Sequence, residues 1–169
     1  EAQRPVVLLT TFEDHSEIVA HQRVQLSQIR AQARALNLPI LLVPLFAGPA
    51  YKTRVSIALE LLARQRPIRR IAFGDLHLAH IRQWRITHLG PVAARLGATL
   101  HLPIWHVDYT DLAAELDAAP VRCTVSAVDT DQLGQTIQVG DSYDADLRSR
   151  LPATVDQFGE NGEFHTHVE

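Results

Sequence analysis

Apolar residues recur along this chain in short uninterrupted runs separated by longer amphipathic stretches, and that alternation predicts the architecture. Residues 5–12 (PVVLLTTF) are aliphatic and β-branched without polar alternation, the pattern of a strand covered on both faces. Residues 16–36 carry Ile18, Val24, Ile29, Ala33 and Leu36 among helix formers and stop at Asn37, which predicts a helix. The theme repeats with an apolar strand over 39–45, a helix over 51–66, a strand over 70–73 ending at Gly74 and Asp75, a helix over 77–96 and a strand over 99–103. A helix over 111–118 and a β-branched strand over 121–128 follow. Beyond Asp129 the pattern weakens into a polar stretch over 130–140, a helix over 141–151 and an irregular tail from Pro152. Strands alternating with helices on this scale imply an α/β chain with a parallel sheet and helical crossovers. The expected division is a core at 1–103 and a smaller carboxyl-terminal α+β portion at 104–169, packed on the core rather than separate.

Composition narrows the class. Hydrophobic residues make up 46% and charged residues 21% of 169, and no apolar run approaches the roughly 20 residues that span a bilayer. Cys123 is the only cysteine, so no intrachain disulfide can form, and residues 1–4 do not resemble a secretory signal; a reducing cytoplasm fits best. The net charge of -3 gives no overall attraction for nucleic acid, although a local patch could still bind phosphates. Charge is spread unevenly: arginines and histidines crowd residues 64–88, whereas 108–146 is rich in carboxylates. The absence of methionine, together with a strand at the very start, predicts an amino terminus cut short.

In a parallel α/β sheet ligands bind beyond the carboxyl ends of the strands, which directs attention to three segments. Thr10, Thr11 and Phe12 at the first strand's exit supply hydroxyls and a ring suited to a purine, although such residues are also ordinary in strands. At Gly74-Asp75 the glycine permits close backbone approach, and Asp75 is placed to cap the helix expected to start near His77. His77, His80, Trp84 and His88 then recur at helical spacing with Arg82 and Arg85 beside them, a face able to steer a phosphate or carboxylate. His77 and His80 with Asp75 match no strong metal pattern, so no protein-held metal is expected. In the third segment, 159–166 (GENGEFHT), two glycines free the backbone around two carboxylates, an amide, an imidazole and a hydroxyl. There Glu160 and Glu163 could hold magnesium or an amine, His165 relay a proton and Asn161 orient a polar substrate.

Five segments in this order, LLTTF at 8–12, RAQARALNLPI at 30–40, AFGDL at 72–76, IRQWR at 81–85 and GENGEFHT at 159–166, resemble the diphthine ammonia ligase family and its bacterial relatives. The resemblance covers nearly the whole chain, and the last segment is its most specific part. It implies a three-layer α/β/α Rossmann-like sheet of the adenine nucleotide alpha hydrolase type. The implied activity is an ATP pyrophosphatase with ATP and magnesium as cofactors, which adenylates a carboxylate for attack by ammonia. Archaeal and eukaryotic relatives act on diphthine of elongation factor 2; here a bacterial member with another acid is implied. The implied partners are ATP or AMP, a small or protein-borne carboxylate and ammonia, and a homodimer is compatible. On the same resemblance Gly74 and Asp75 face the nucleotide, while Glu160, Asn161, Gly162, Glu163, His165 and Thr166 face the acyl substrate and ammonia. Such a ligase needs the octapeptide and the Asp75 turn to enclose one cavity.

Two departures stand out. The family's first strand and its Ser-Gly-Gly-Lys-Asp-Ser phosphate loop do not occur in the sequence, so pyrophosphate lacks an obvious cradle. At 47–51 (AGPAY) relatives carry an asparagine or serine-asparagine before the tyrosine; only Tyr51 is kept. The competing expectations are therefore a non-catalytic nucleotide-binding or regulatory domain and, less favoured, a metallohydrolase using His77, His80 and His165.

Overall fold

The computed structural model describes residues 7–19, 22–46 and 51–168. The expected beginning of the first strand at Pro5 and the segment Ala47, Gly48, Pro49 and Ala50 lie outside the described residues. In chain order the elements are β1 (Leu8–Glu13), β2 (Ile18–Val19), β3 (Val24–Gln25), α1 (Leu26–Ala35), β4 (Ile40–Leu45), α2 (Tyr51–Gln65), β5 (Arg70–Ala72), α3 (Ala79–His88), α4 (Gly90–Arg95) and β6 (Thr99–His101). They continue with α5 (Tyr109–Ala118), β7 (Cys123–Val128), α6 (Thr130–Leu133), α7 (Ala145–Arg150) and β8 (Phe164–Val168). The chain divides into two compact units: one gathers Glu1–Leu8, His15–Ile40 and Asp108–Glu169, the other Leu9–Asp14 and Leu41–Val107.

The second of these units holds the parallel strands. β1 pairs with β4, and the bonds Leu8 N to Pro39 O (2.9 Å) and Asp14 N to Leu45 O (3.1 Å) keep the same offset at both ends, which makes the pair parallel. β5 and β6 are likewise parallel, Arg70 opposite Thr99 and Ala72 opposite His101. Val55 and Leu59 of α2, Leu89 and Val92 form a core against β5 and β6, with Ile68, Ile71, Phe73 and Leu100 packed around it. The single helix expected over 77–96 is two helices. α3 ends at His88, and Pro91, which has no N–H to give, sits in the first turn of α4, where none is needed.

The other unit departs further from the periodicity of the sequence. The helix expected over 16–36 starts only at Leu26, because Ile18, Val19 and Val24 form the antiparallel pair β2–β3 instead. Stiff β-branched side chains favour extended backbone there, Glu17 and Arg23 take left-handed φ of 53° and 51°, and Gln25 with Gln28 forms a reciprocal cap that opens α1. Asp108, Asp129 and Asp144 cap α5, α6 and α7, each carboxylate accepting a backbone N–H at 2.7–3.0 Å. The tail expected to be irregular contains β8, which runs antiparallel to β7 with Val125 opposite Thr166 and Val128 opposite Phe164. Cys123, Val125, Leu133, Ile137, Tyr143, Leu147, Val155 and Phe164 form this unit's core.

The molecule is thus mixed α/β, with short parallel and antiparallel sheets among the described strands. No described helix is long and apolar enough to cross a membrane.

Candidate functional site

The carboxyl-terminal motif is a built loop. Glu163 is 1% exposed, and its carboxylate is fully engaged: Oε1 accepts from Asp156 N at 2.9 Å and from Asn161 Nδ2 at 3.1 Å, and Oε2 accepts from Asn161 N at 3.0 Å. Its carbonyl also accepts from Asp129 N at 2.8 Å, which ties the loop to the end of β7. Asp156 mirrors the arrangement, with Oδ1 accepting from Phe158 N at 2.8 Å and Glu160 N at 3.4 Å, and Oδ2 from the Tyr109 hydroxyl at 2.8 Å. Two carboxylates therefore neutralise the inward N–H groups of one tight segment, the arrangement a buried polar backbone requires. Gly159 is obligatory: its φ is +68°, and a Cβ there would lie 2.5 Å from the Phe164 carbonyl oxygen. Gly162 also has a left-handed φ, +89°, with open space around it.

Aromatic rings line the inner side of this loop. Phe158 meets Tyr109 edge-on at 4.8 Å between centroids and Tyr143 at 6.4 Å. The Tyr143 hydroxyl donates to the Gln157 carbonyl at 2.5 Å, and burial pushes its pKa up to about 12. Burial, reinforced by the hydrogen bond to Asp156, also raises the Tyr109 pKa. Arg148 packs over the Tyr143 ring and reaches Asp117, and burial raises the Cys123 thiol in the same core.

Of the expected site residues in this unit, Glu160, Asn161 and Glu163 are thus brought together, with Glu160 half-buried and Asn161 exposed. His165 and Thr166 lie beyond them in β8, half-buried, opposite Ala127 and Val125. Successive strand residues leave opposite faces: Thr166 shares the core side with Phe164, and His165 shares the other with His167. A ligand held over one face of β8 meets only one of the two.

In the other unit, Thr10, Thr11 and Phe12 are half-buried members of β1, Thr10 and Phe12 on one face and Thr11 on the other. Gly74 follows β5, and a Cβ there would make an ordinary contact, 3.9 Å from Ile104. Close backbone approach within the chain therefore does not explain this glycine. Asp75 does not cap a helix: α3 begins at Ala79 behind Leu78, with no side-chain cap. Instead Asp75 is gripped by Arg85 from within α3, Nε to Oδ2 at 2.5 Å and Nη2 to Oδ1 at 2.8 Å. A bidentate guanidinium outcompetes a backbone amide for a carboxylate, which is the physical reason for the difference. Arg85 lies over the Phe73 ring at 4.1 Å; burial alone would lower its pKa, yet Asp75 carries it above the ordinary value. Trp84 stands between Tyr51 (5.7 Å) and His88 (4.8 Å). Among the described residues no cluster of three or more His, Cys, Asp or Glu side chains is arranged to hold a metal.

Three contributors escaped the sequence reading: Arg85 as the partner of Asp75, and Asp156 and Tyr109 as supports of the octapeptide. For Asp156 a signal existed, since Asp three residues before Gly159 favours a side-chain-to-backbone turn. A groove of about 400 Å³ lined by Val128, Thr130, Gln135 and Val139 among others contains none of the candidate residues and no titratable side chain. No protein-family model matches the chain, and no curated protein matches it at a significant level.

Proposed function

We propose that the chain belongs to an ATP-dependent amide-forming ligase, an ATP pyrophosphatase working in the cytoplasm on a small or protein-borne carboxylic acid. In the reaction a carboxylate oxygen attacks the α-phosphorus of ATP and pyrophosphate leaves; ammonia then attacks the acyl carbon, AMP leaves, and nitrogen loses a proton to give the amide. The observation that carries this reading is the octapeptide's burial of Glu163 in a fixed loop that displays Glu160 and Asn161, rather than a frayed tail. In this reading Glu163 acts through the loop and Glu160 and Asn161 meet the acyl or amine substrate.

The parallel pairs β1–β4 and β5–β6 support the finer fold, a three-layer Rossmann-like sheet of the adenine nucleotide alpha hydrolase type, whose strand exits would carry Thr10, Phe12 and Gly74 toward an adenine nucleotide. Magnesium fits such a site as a companion of the nucleotide phosphates, since Asp75 is already committed to Arg85.

Titration calorimetry with AMP, and with ATP and magnesium, tests the nucleotide half. AMP is expected to bind, and Phe12→Ala to weaken it about tenfold, the usual worth of a base stacked on a ring. Release of pyrophosphate in the presence of ammonium and a panel of carboxylic acids would establish the ligase. AMP binding without release in any member of the panel favours the second reading, a nucleotide-binding domain without catalysis. A chain that gives no heat with either nucleotide sinks both.

A further inference from the structure

The net charge of -3 conceals a strong segregation. Asp108–Glu169 holds thirteen acids against three arginines, whereas Leu41–Val107 holds nine Lys or Arg against two acids, Glu60 and Asp75. Both of those acids are already paired, Glu60 with Arg95 at 3.1 Å and Asp75 with Arg85. Four of the remaining cations, Arg64, Arg66, Arg69 and Arg70, fall within the seven residues that carry the chain from the end of α2 into β5. All four are exposed, and among the described residues none meets a carboxylate. The dipole of α2 accounts for Arg64 in its last turn, but the other three lie past Gln65.

From this cluster we infer a binding surface for the phosphodiester backbone of single-stranded RNA. Its backbone is fixed in advance: Arg66 N bonds to Leu62 O at 3.0 Å, Arg69 O accepts from Thr99 N at 3.1 Å, and Arg70 is registered against Thr99 in the β5–β6 pair. Ile68 anchors the turn by packing against the Val55 and Leu59 core, so little backbone entropy is lost when a ligand docks. Guanidiniums match phosphate oxygens bidentately, and the exposed positions from 64 to 70 are arginine, glutamine and proline. The small Pro67 ring is then the one apolar side chain exposed in the segment, too little to serve as the buried anchor a protein interface needs. Arg69 and Arg70, successive in extended backbone, leave opposite faces; a flexible strand can wrap both, and a flat lipid surface cannot. The exposed Ile57 and Leu61 on α2 make an anionic membrane the competing occupant.

Fluorescence anisotropy of the intact chain with a labelled mixed-sequence RNA of about 20 nucleotides decides the matter. Binding is expected to weaken as salt rises. The quadruple variant R64Q/R66Q/R69Q/R70Q should lose at least about tenfold in affinity and reduce the slope of log K against log salt by about 3, four contacts at about 0.7 each. R30Q/R34Q/R122Q/R150Q, with the same charge change on exposed arginines elsewhere, should stay within about twofold of the parent. The milder R66Q/R69Q, expected to show about half the slope change, covers loss of fold in the quadruple variant, which circular dichroism would reveal. Equal losses in the two quadruple variants, absence of salt-dependent binding, or binding only to vesicles of equimolar phosphatidylserine and phosphatidylcholine would each overturn the inference.

Discussion

Two glycines that look alike in the sequence do different physical work. At Gly159 both the left-handed φ of +68° and the 2.5 Å approach of the Phe164 carbonyl forbid a side chain, whereas Gly74 has neither constraint. Gly159→Ala is therefore expected to cost about 2–3 kcal/mol, and Gly74→Ala less than about 0.5 kcal/mol, in urea denaturation. Comparable midpoints for the two variants would show that the loop is not held as described. Glu163 makes the same point for a charged residue. The sequence marks it as unusual, but only its burial and three accepted hydrogen bonds show that its first task is to organise Asp156 and Asn161.

At the scale of elements, the Asp75–Arg85 pair fastens α3 to the exit of β5, with side chains only 12% and 19% exposed. Arg85→Met leaves a mostly buried carboxylate alone and should destabilise the protein by about 2–3 kcal/mol; adding Asp75→Asn should recover more than half of that, because the stranded charge is gone. Additive losses in this double-mutant cycle would mean that the two side chains do not interact. Most strands and helices of Leu41–Val107 were legible in the sequence because uninterrupted apolar runs mark covered strands and amphipathic stretches follow the 3.6-residue period, although the break between α3 and α4 was not. The β2–β3 pair was not, since two-residue strands are too short to display a period, and a mixture of Ile, Val, Gln and Arg also satisfies a helical one. β8 was hidden for a different reason: FHTHV alternates, but its polar positions suggested chemistry, and its partner β7 lies far away in sequence. The arginine that holds Asp75 is ten residues distant, and only tertiary structure reveals that it, rather than a helix amide, takes the carboxylate.

For the whole molecule the raised phenols of Tyr143 and Tyr109 make stability fall at alkaline pH. Desolvation, first, holds the Tyr143 pKa up at about 12, above the roughly 10 of an unfolded tyrosine, and Tyr109 is raised in the same direction. A raised folded-state value means that the native chain keeps its phenolic proton where the unfolded chain has lost it. This contribution is complete below about pH 10 and disappears as pH climbs through about 12. At the acid end the sign reverses for the helix caps Asp108 and Asp129, whose folded values are lowered by the backbone N–H of Thr110 and by the Gln132 side chain. Their support is present above about pH 4 and is lost as pH falls through their folded values. Tyr143→Phe separates the alkaline effect from simple loss of a hydrogen bond. At about pH 8 the variant should be weaker by about 1 kcal/mol, having lost the bond to the Gln157 carbonyl. Between about pH 8 and about pH 11 the parent should lose about 1 kcal/mol more than the variant does, because Tyr109 is common to both and only the parent carries the Tyr143 phenol across that range. Urea midpoints for both proteins at the two pH values measure this directly; parallel declines would place the alkaline transition elsewhere and remove Tyr143 from its cause.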